Sequence, residues 1–138
     1  MRDQELQIYN RQVLQNQDEA FSLAYDLLGT EGAAAALLQE VFMSGFGRRK
    51  DACLPFRLRV MRWVVRACLE HSQVLGPEQL EPRLAQLTNE EKVALVLLER
   101  LGLNSLQAAA VLEKSAADFR ALVTRARCAL SGAWFIQE

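Results

Sequence analysis

The sequence predicts an all-α protein built as two small helical modules joined by a short linker. Three observations point there. Glycine (7) and proline (3) are scarce among 138 residues, while Ala, Leu, Gln, Glu and Arg abound, a composition that favours helix in water. Apolar residues recur at i, i+3, i+4 and i+7 through successive windows, the signature of helices with one buried stripe. The Gly76-Pro77 step, followed by Pro82, interrupts that pattern and divides the chain into residues 1–75, a linker over 76–86 and residues 87–138. At 51% hydrophobic residues the chain has material for a core, which excludes wholesale disorder. Modules this small have thin cores, so packing against each other or onto a partner is expected.

Residues 5–15 read as a short helix with Leu6, Ile8, Val13 and Leu14 as its apolar side. A second helix carries Phe21, Ala24, Tyr25, Leu27 and Leu28 and ends at Gly29, placed as a C-cap. Thr30 suits the N-cap of a third, whose Ala34, Leu37, Leu38, Val41 and Phe42 form one stripe before Gly45 and Gly47 end it. Arg48 to Leu54 reads as a basic loop, and Pro55 suits the first turn of a helix reaching about Val74. Its core stripe is Leu58, Met61, Val65, Cys68 and Leu69; beside it runs a basic stripe of Arg59, Arg62 and Arg66, with Trp63 on the far flank.

Beyond the linker, Thr88 or Asn89 caps a helix in which Val93, Val96, Leu97 and Leu101 face inward and Gly102 is the stop. Asn104 or Ser105 caps a short helix from Leu106 to Leu112. After a three-residue turn, Ser115 caps a last helix reaching about Trp134. Three helices with a tight joint between the last two outline a helix-turn-helix unit.

Net charge is −1, which argues against a generic nucleic-acid coat. The charge is segregated, however. Residues 1–47 hold two basic and seven acidic side chains, whereas 48–66 hold seven basic ones against Asp51 alone. Enzyme chemistry has little to stand on: there is one histidine, no glycine-rich phosphate loop, no nucleophile elbow and no set of metal ligands. The three cysteines (Cys53, Cys68, Cys128) are widely spaced, and Cys68 with His71 supplies only two ligands of the four a structural zinc needs. No cofactor or metal is therefore expected. The start of the chain is polar, without a signal-peptide core, and the longest apolar run, Val93 to Leu98, is far short of a membrane span. A cytoplasmic location is expected.

Two stretches resemble the modules of the extracytoplasmic-function sigma factors of bacterial RNA polymerase. In the second half the family's helix-turn-helix pattern is met without gaps at Gly102, Leu103, Ala109, Val111, Leu112, Ser115, Arg125, Ala126, Arg127 and Leu130. In the first half the match runs through Leu27-Leu28-Gly29-Thr30-Glu31, Ala34 and Leu37-Leu38-Gln39-Glu40-Val41-Phe42, and Phe56-Arg57 opens a segment similar to the one that melts the minus-ten element. The resemblance covers most of residues 20–134 and implies a sigma domain 2-like bundle followed by a sigma domain 4-like helix-turn-helix. It departs from the family at Ala36, where an Asp is usual, at Asp118, Ala121 and Leu122 of the recognition helix, and at Glu113, which stands where the turn has glycine. The Arg-rich tail of the melting helix is replaced by Glu70-His71-Ser72-Gln73.

On this resemblance the partners are core RNA polymerase, promoter DNA and an anti-sigma protein. Leu38, Gln39 and Glu40 lie on the helix the family docks on the polymerase clamp; an ordinary polar helix face is the alternative. Arg59, Arg62, Trp63 and Arg66 could track a phosphate backbone while the indole stacks on an exposed base. The same residues could equally form a solvated face whose arginine stems cover apolar surface, with Trp63 in the core. Ser115, Arg120, Arg125 and Arg127 belong to the helix that would enter the major groove, where arginine reads guanine edges or holds phosphates; Asp118 in its first turn repels phosphate. The resulting expectation is a sigma-like initiation protein that binds polymerase and promoter. Its rivals are a sigma-fold interaction protein that has lost promoter recognition, and a helix-turn-helix repressor acting as a homodimer.

Overall fold

A computed structural model describes residues 2–48, 54–71 and 86–137, with the side chains of 3–48, 54–70 and 86–130. Every regular element among them is helical. Helix α1 spans Arg2–Leu28, α2 Glu31–Gly45 with a 3₁₀ turn at Phe46–Arg48, and α3 Phe56–His71. Helix α4 covers Asn89–Leu95 and widens into a π-turn over Val96–Arg100; α5 is Ser105–Val111 and α6 Ala116–Gln137. The expected linker (76–86, except for Gln86), the loop residues Arg49 and Lys50, Cys53 and residues 72–74 of the helix expected to reach Val74 lie outside the described residues.

The helix ends are set by local chemistry. Thr30 accepts a hydrogen bond from the Ala33 amide, Asn104 exchanges two with Gln107, and Thr88 forms a reciprocal capping box with Glu91. Gly29 and Gly102 end their helices at φ 86° and 70°, where an L side chain is strained. One expectation is corrected: the two helices read over residues 5–28 are a single helix of 27 residues. The polar stretch Asn16-Gln17-Asp18 breaks the apolar rhythm but contains no helix breaker, and the Asn16 amide donates back to the Gln12 carbonyl one turn earlier (2.7 Å).

Helices α1, α2 and α3 form a three-helix bundle, and α4 and α5 both pack on α6. The halves are not separate bodies. Helix α3 also packs against α5 and α4, and α1 against the π-turn. One continuous core holds Leu23, Leu27, Met61 and Val64 from the first half with Val93, Leu97, Val111 and Phe119 from the second. Helix α3 is consequently buried on most of its circumference, including Phe56, Leu58, Val60, Met61, Trp63, Val64, Val65 and Cys68.

Helix α2 comes very close to α3 and α1 at Gly45. A Cβ there would stand 2.6 Å from Trp63 Cζ3 and 2.6 Å from the Tyr9 hydroxyl. Neither neighbour can retreat easily: the Tyr9 hydroxyl donates to the Phe42 carbonyl at 2.7 Å, and the indole is wedged edge-on to Phe56. Gly45→Ala is expected to lower stability by about 1–3 kcal/mol through overpacking, read as a lower urea midpoint with an unchanged slope.

Candidate nucleic-acid interface

The strongest candidate surface is the corner made by α5 and α6. Helix α5 ends at Val111, and the chain turns through Leu112–Ser115, with Glu113 in the left-handed region at φ 59°. The turn closes through Glu113 N–H to the Ala110 carbonyl (3.1 Å) and Lys114 N–H to that of Ala109 (2.9 Å). Ser115 then caps α6 by accepting from the Asp118 amide at 3.1 Å. Phe119, Leu122, Val123 and Ala126 bury one face of α6.

At 100° per residue, the side of α6 opposite this buried face is a ridge of small residues: Ala117, Ala121, Thr124 and Cys128, all exposed. Arg120 and Arg127 flank the ridge on one side, Asp118 and Arg125 on the other; all four are exposed. Arg120, Thr124 and Arg127 also line a groove with Asn104 and Ser105 at the start of α5. A ridge of small side chains can approach a duplex closely while flanking guanidinium groups reach the phosphates on either side of the groove. Nothing long and polar sits at the crest to read base edges.

The basic stripe of α3 has a different environment. Arg62 donates from Nε (3.1 Å) and Nη2 (2.6 Å) to the Ala110 carbonyl near the end of α5, and lies 3.9 Å from Glu113 Oε1. Arg66 grips the Glu113 carboxylate with both ends of its guanidinium, Nε to Oε2 at 2.8 Å and Nη2 to Oε1. These hydrogen bonds from Arg66 hold the Glu113 carboxyl below its ordinary range. Arg59 is half-buried, its guanidinium 5.3 Å from the Phe56 ring centre. Two of the three arginines thus bind the α5–α6 corner of the same molecule.

Two expected site residues are corrected. Trp63 is 4% exposed and cannot stack on a base; its ring packs edge-on to Phe56 (5.9 Å), with Arg48 above it at 5.8 Å. Leu38 is buried in the core and offers a partner no surface, whereas its neighbours Gln39 and Glu40 are exposed. Cys68 is buried too, and burial pushes its thiol up to about 12. Among the described residues, no three His, Cys, Asp or Glu side chains gather in a metal-binding group.

Sequence reasoning did not find the acidic partners of the basic residues. Glu19 of α1 takes both ends of Arg57 (2.6 and 2.8 Å), and Asp26 of α1 pairs with Arg100 of the π-turn at 3.2 Å. The second of these is a contact between the halves, and so is Arg66 with Glu113.

The same fold occurs in chains of solved complexes in which a sigma factor or an anti-anti-sigma factor is bound to its partner. The chain superposes on one chain of the complex of the sigma factor RpoE with the anti-sigma factor NepR from Bartonella quintana, with TM-score 0.71 and 13% identity, covering 94% of this chain and 98% of that one. For a chain of CnrH in complex with the cytosolic domain of CnrY the TM-score is 0.69 at 19% identity, with 96% and 91% covered. For a chain of the complex of the anti-anti-sigma factor PhyR with NepR from Bartonella quintana it is 0.70 at 16% identity, with 90% of this chain covered. This chain spans about half (49%) of the PhyR-complex chain. No family model matches the sequence. No curated protein is similar to it in sequence. Among the described residues, no helix is long and apolar enough to cross a membrane.

Proposed function

We propose that this chain is a sigma-like transcription protein that binds core RNA polymerase through its first half and duplex DNA through α6. The observation that carries the reading is the α5–α6 corner, where Arg120, Arg125 and Arg127 flank an exposed ridge of small residues. Polymerase contact falls to the exposed Gln39 and Glu40 of α2, with Ser115 setting the entry of α6 by its cap. The mechanism is binding to polymerase and duplex without covalent chemistry. Affinity for DNA falls as salt rises, because each neutralised phosphate releases counterions.

A second reading is favoured by the occupied stripe of α3: a sigma-fold protein that works through a protein partner, of the anti-sigma kind, without promoter recognition. Trp63 in the core and Arg62 and Arg66 on the α5–α6 corner leave the first half poorly equipped to melt DNA.

Run-off transcription with core polymerase on a library of promoter fragments distinguishes the two. A specific transcript supports the sigma reading. Retention of the chain on a polymerase or anti-sigma column with no transcript from any fragment gives the interaction reading instead.

A further inference from the structure

Helix α3 and the α5–α6 turn are distant in sequence yet joined by two polar contacts of different kinds. Arg62 adds a charged donor to the Ala110 carbonyl near the end of α5, which already accepts from the Glu113 N–H, at a helix end where a cation is favoured. Arg66 holds Glu113 in a two-pronged pair. Glu113 occupies the position in the turn that glycine fills without strain. Its carboxylate therefore comes with an unfavourable backbone conformation, and in that conformation it reaches across to the other half of the molecule. At the far end of the seam Arg100 and Asp26 make a second tie.

We propose that Glu113 is an intramolecular lock, holding Arg66 with Arg62 beside it, that keeps the second half closed on the first and withholds the α3 arginines from phosphate. Closure of the seam depends on this pair as well as on the shared core. The lock rests on the DNA-binding reading only for its consequence, the withholding of arginines; closure itself can be measured without nucleic acid.

The test is amide hydrogen exchange on the full chain, comparing wild type with E113Q, E113G and the charge swap R66E/E113R. Removing the carboxylate is expected to speed exchange of the α5 amides about threefold, the scale of a half-exposed bidentate pair. Exchange in α1 should not change. E113G also relieves the strained turn; a turn that mattered only for its own stability would exchange more slowly in E113G. The charge swap should return α5 to near the wild-type rate. The lock is overturned if α5 of E113Q, which keeps the strained turn, exchanges no faster than wild type, or if the charge swap exchanges as fast as E113Q. A seam loosened in E113Q and E113G with no gain in duplex affinity would uphold the closure and overturn the withholding of the α3 arginines, whereas the α6 reading is tested separately by its own arginines.

Discussion

Replacing Arg120, Arg125 and Arg127 together by glutamine is expected to weaken duplex binding roughly a hundredfold at low salt, and to flatten the plot of log affinity against log salt by about three. The three guanidinium groups are exposed on the flanks of α6 and take no part in the core made by Phe119, Leu122, Val123 and Ala126. Folding stability should therefore stay within about 0.5 kcal/mol of wild type, so lost binding cannot be ascribed to unfolding. The loss should be nearly the same on every duplex sequence. Flanking arginines reach phosphates, and the crest (Ala117, Ala121, Thr124, Cys128) has little with which to read a base. Fluorescence anisotropy over a salt series, with two unrelated duplexes, reads all three quantities. Wild-type affinity in the triple variant would remove α6 as the DNA-binding element. A large loss on one duplex and none on the other would assign these arginines to base reading instead.

What the sequence disclosed and what it concealed follow from the range of each interaction. Thr30, Thr88, Asn104 and Ser115 are legible as caps because a cap bonds an amide three residues ahead. The turn between α5 and α6 is legible for the same reason. Arg62 and Arg66 meet partners 48 and 47 positions away, and no local pattern announces such a pairing. Trp63 was misplaced by the assumption that α3 has one buried stripe. A helix enclosed by α1, α2, α4 and α5 has almost no free side. The run Val60-Met61, then Trp63-Val64-Val65, has more apolar residues than one stripe holds, and that excess was the available signal. Leu38 shows the converse: helical spacing already places it with Leu37 in the buried stripe, and only the resemblance put it on a contact face.

The indole of Trp63 offers the sharpest separation of a core role from a nucleic-acid role. It sits in a ring cluster whose members constrain one another: Phe56 lies edge-on to Trp63 at 86° and to Tyr9 at 79°, and Tyr9 in turn lies edge-on to Phe46 at 74°. The backbone at Gly45 comes so near the ring that no Cβ fits between them. The Tyr9 hydroxyl is kept protonated, burial pushing it to about 12, so it remains a donor to the Phe42 carbonyl across the whole usable pH range. Truncating Trp63 to alanine removes the ring that packs against Phe56 and the Gly45 backbone, leaving a void between α2 and α3. We expect Trp63→Ala to cost about 3–5 kcal/mol, a large share of the roughly 5–15 kcal/mol that holds a small domain folded. Trp63→Phe, which keeps a ring against Phe56, should lose less than half of that. A base-stacking tryptophan would behave in the opposite way: either change would leave stability within about 0.5 kcal/mol, and alanine alone would abolish binding to single strands. Urea unfolding of the two variants, followed by helical ellipticity, decides the matter, since only a core tryptophan can move the midpoint so far without touching a ligand.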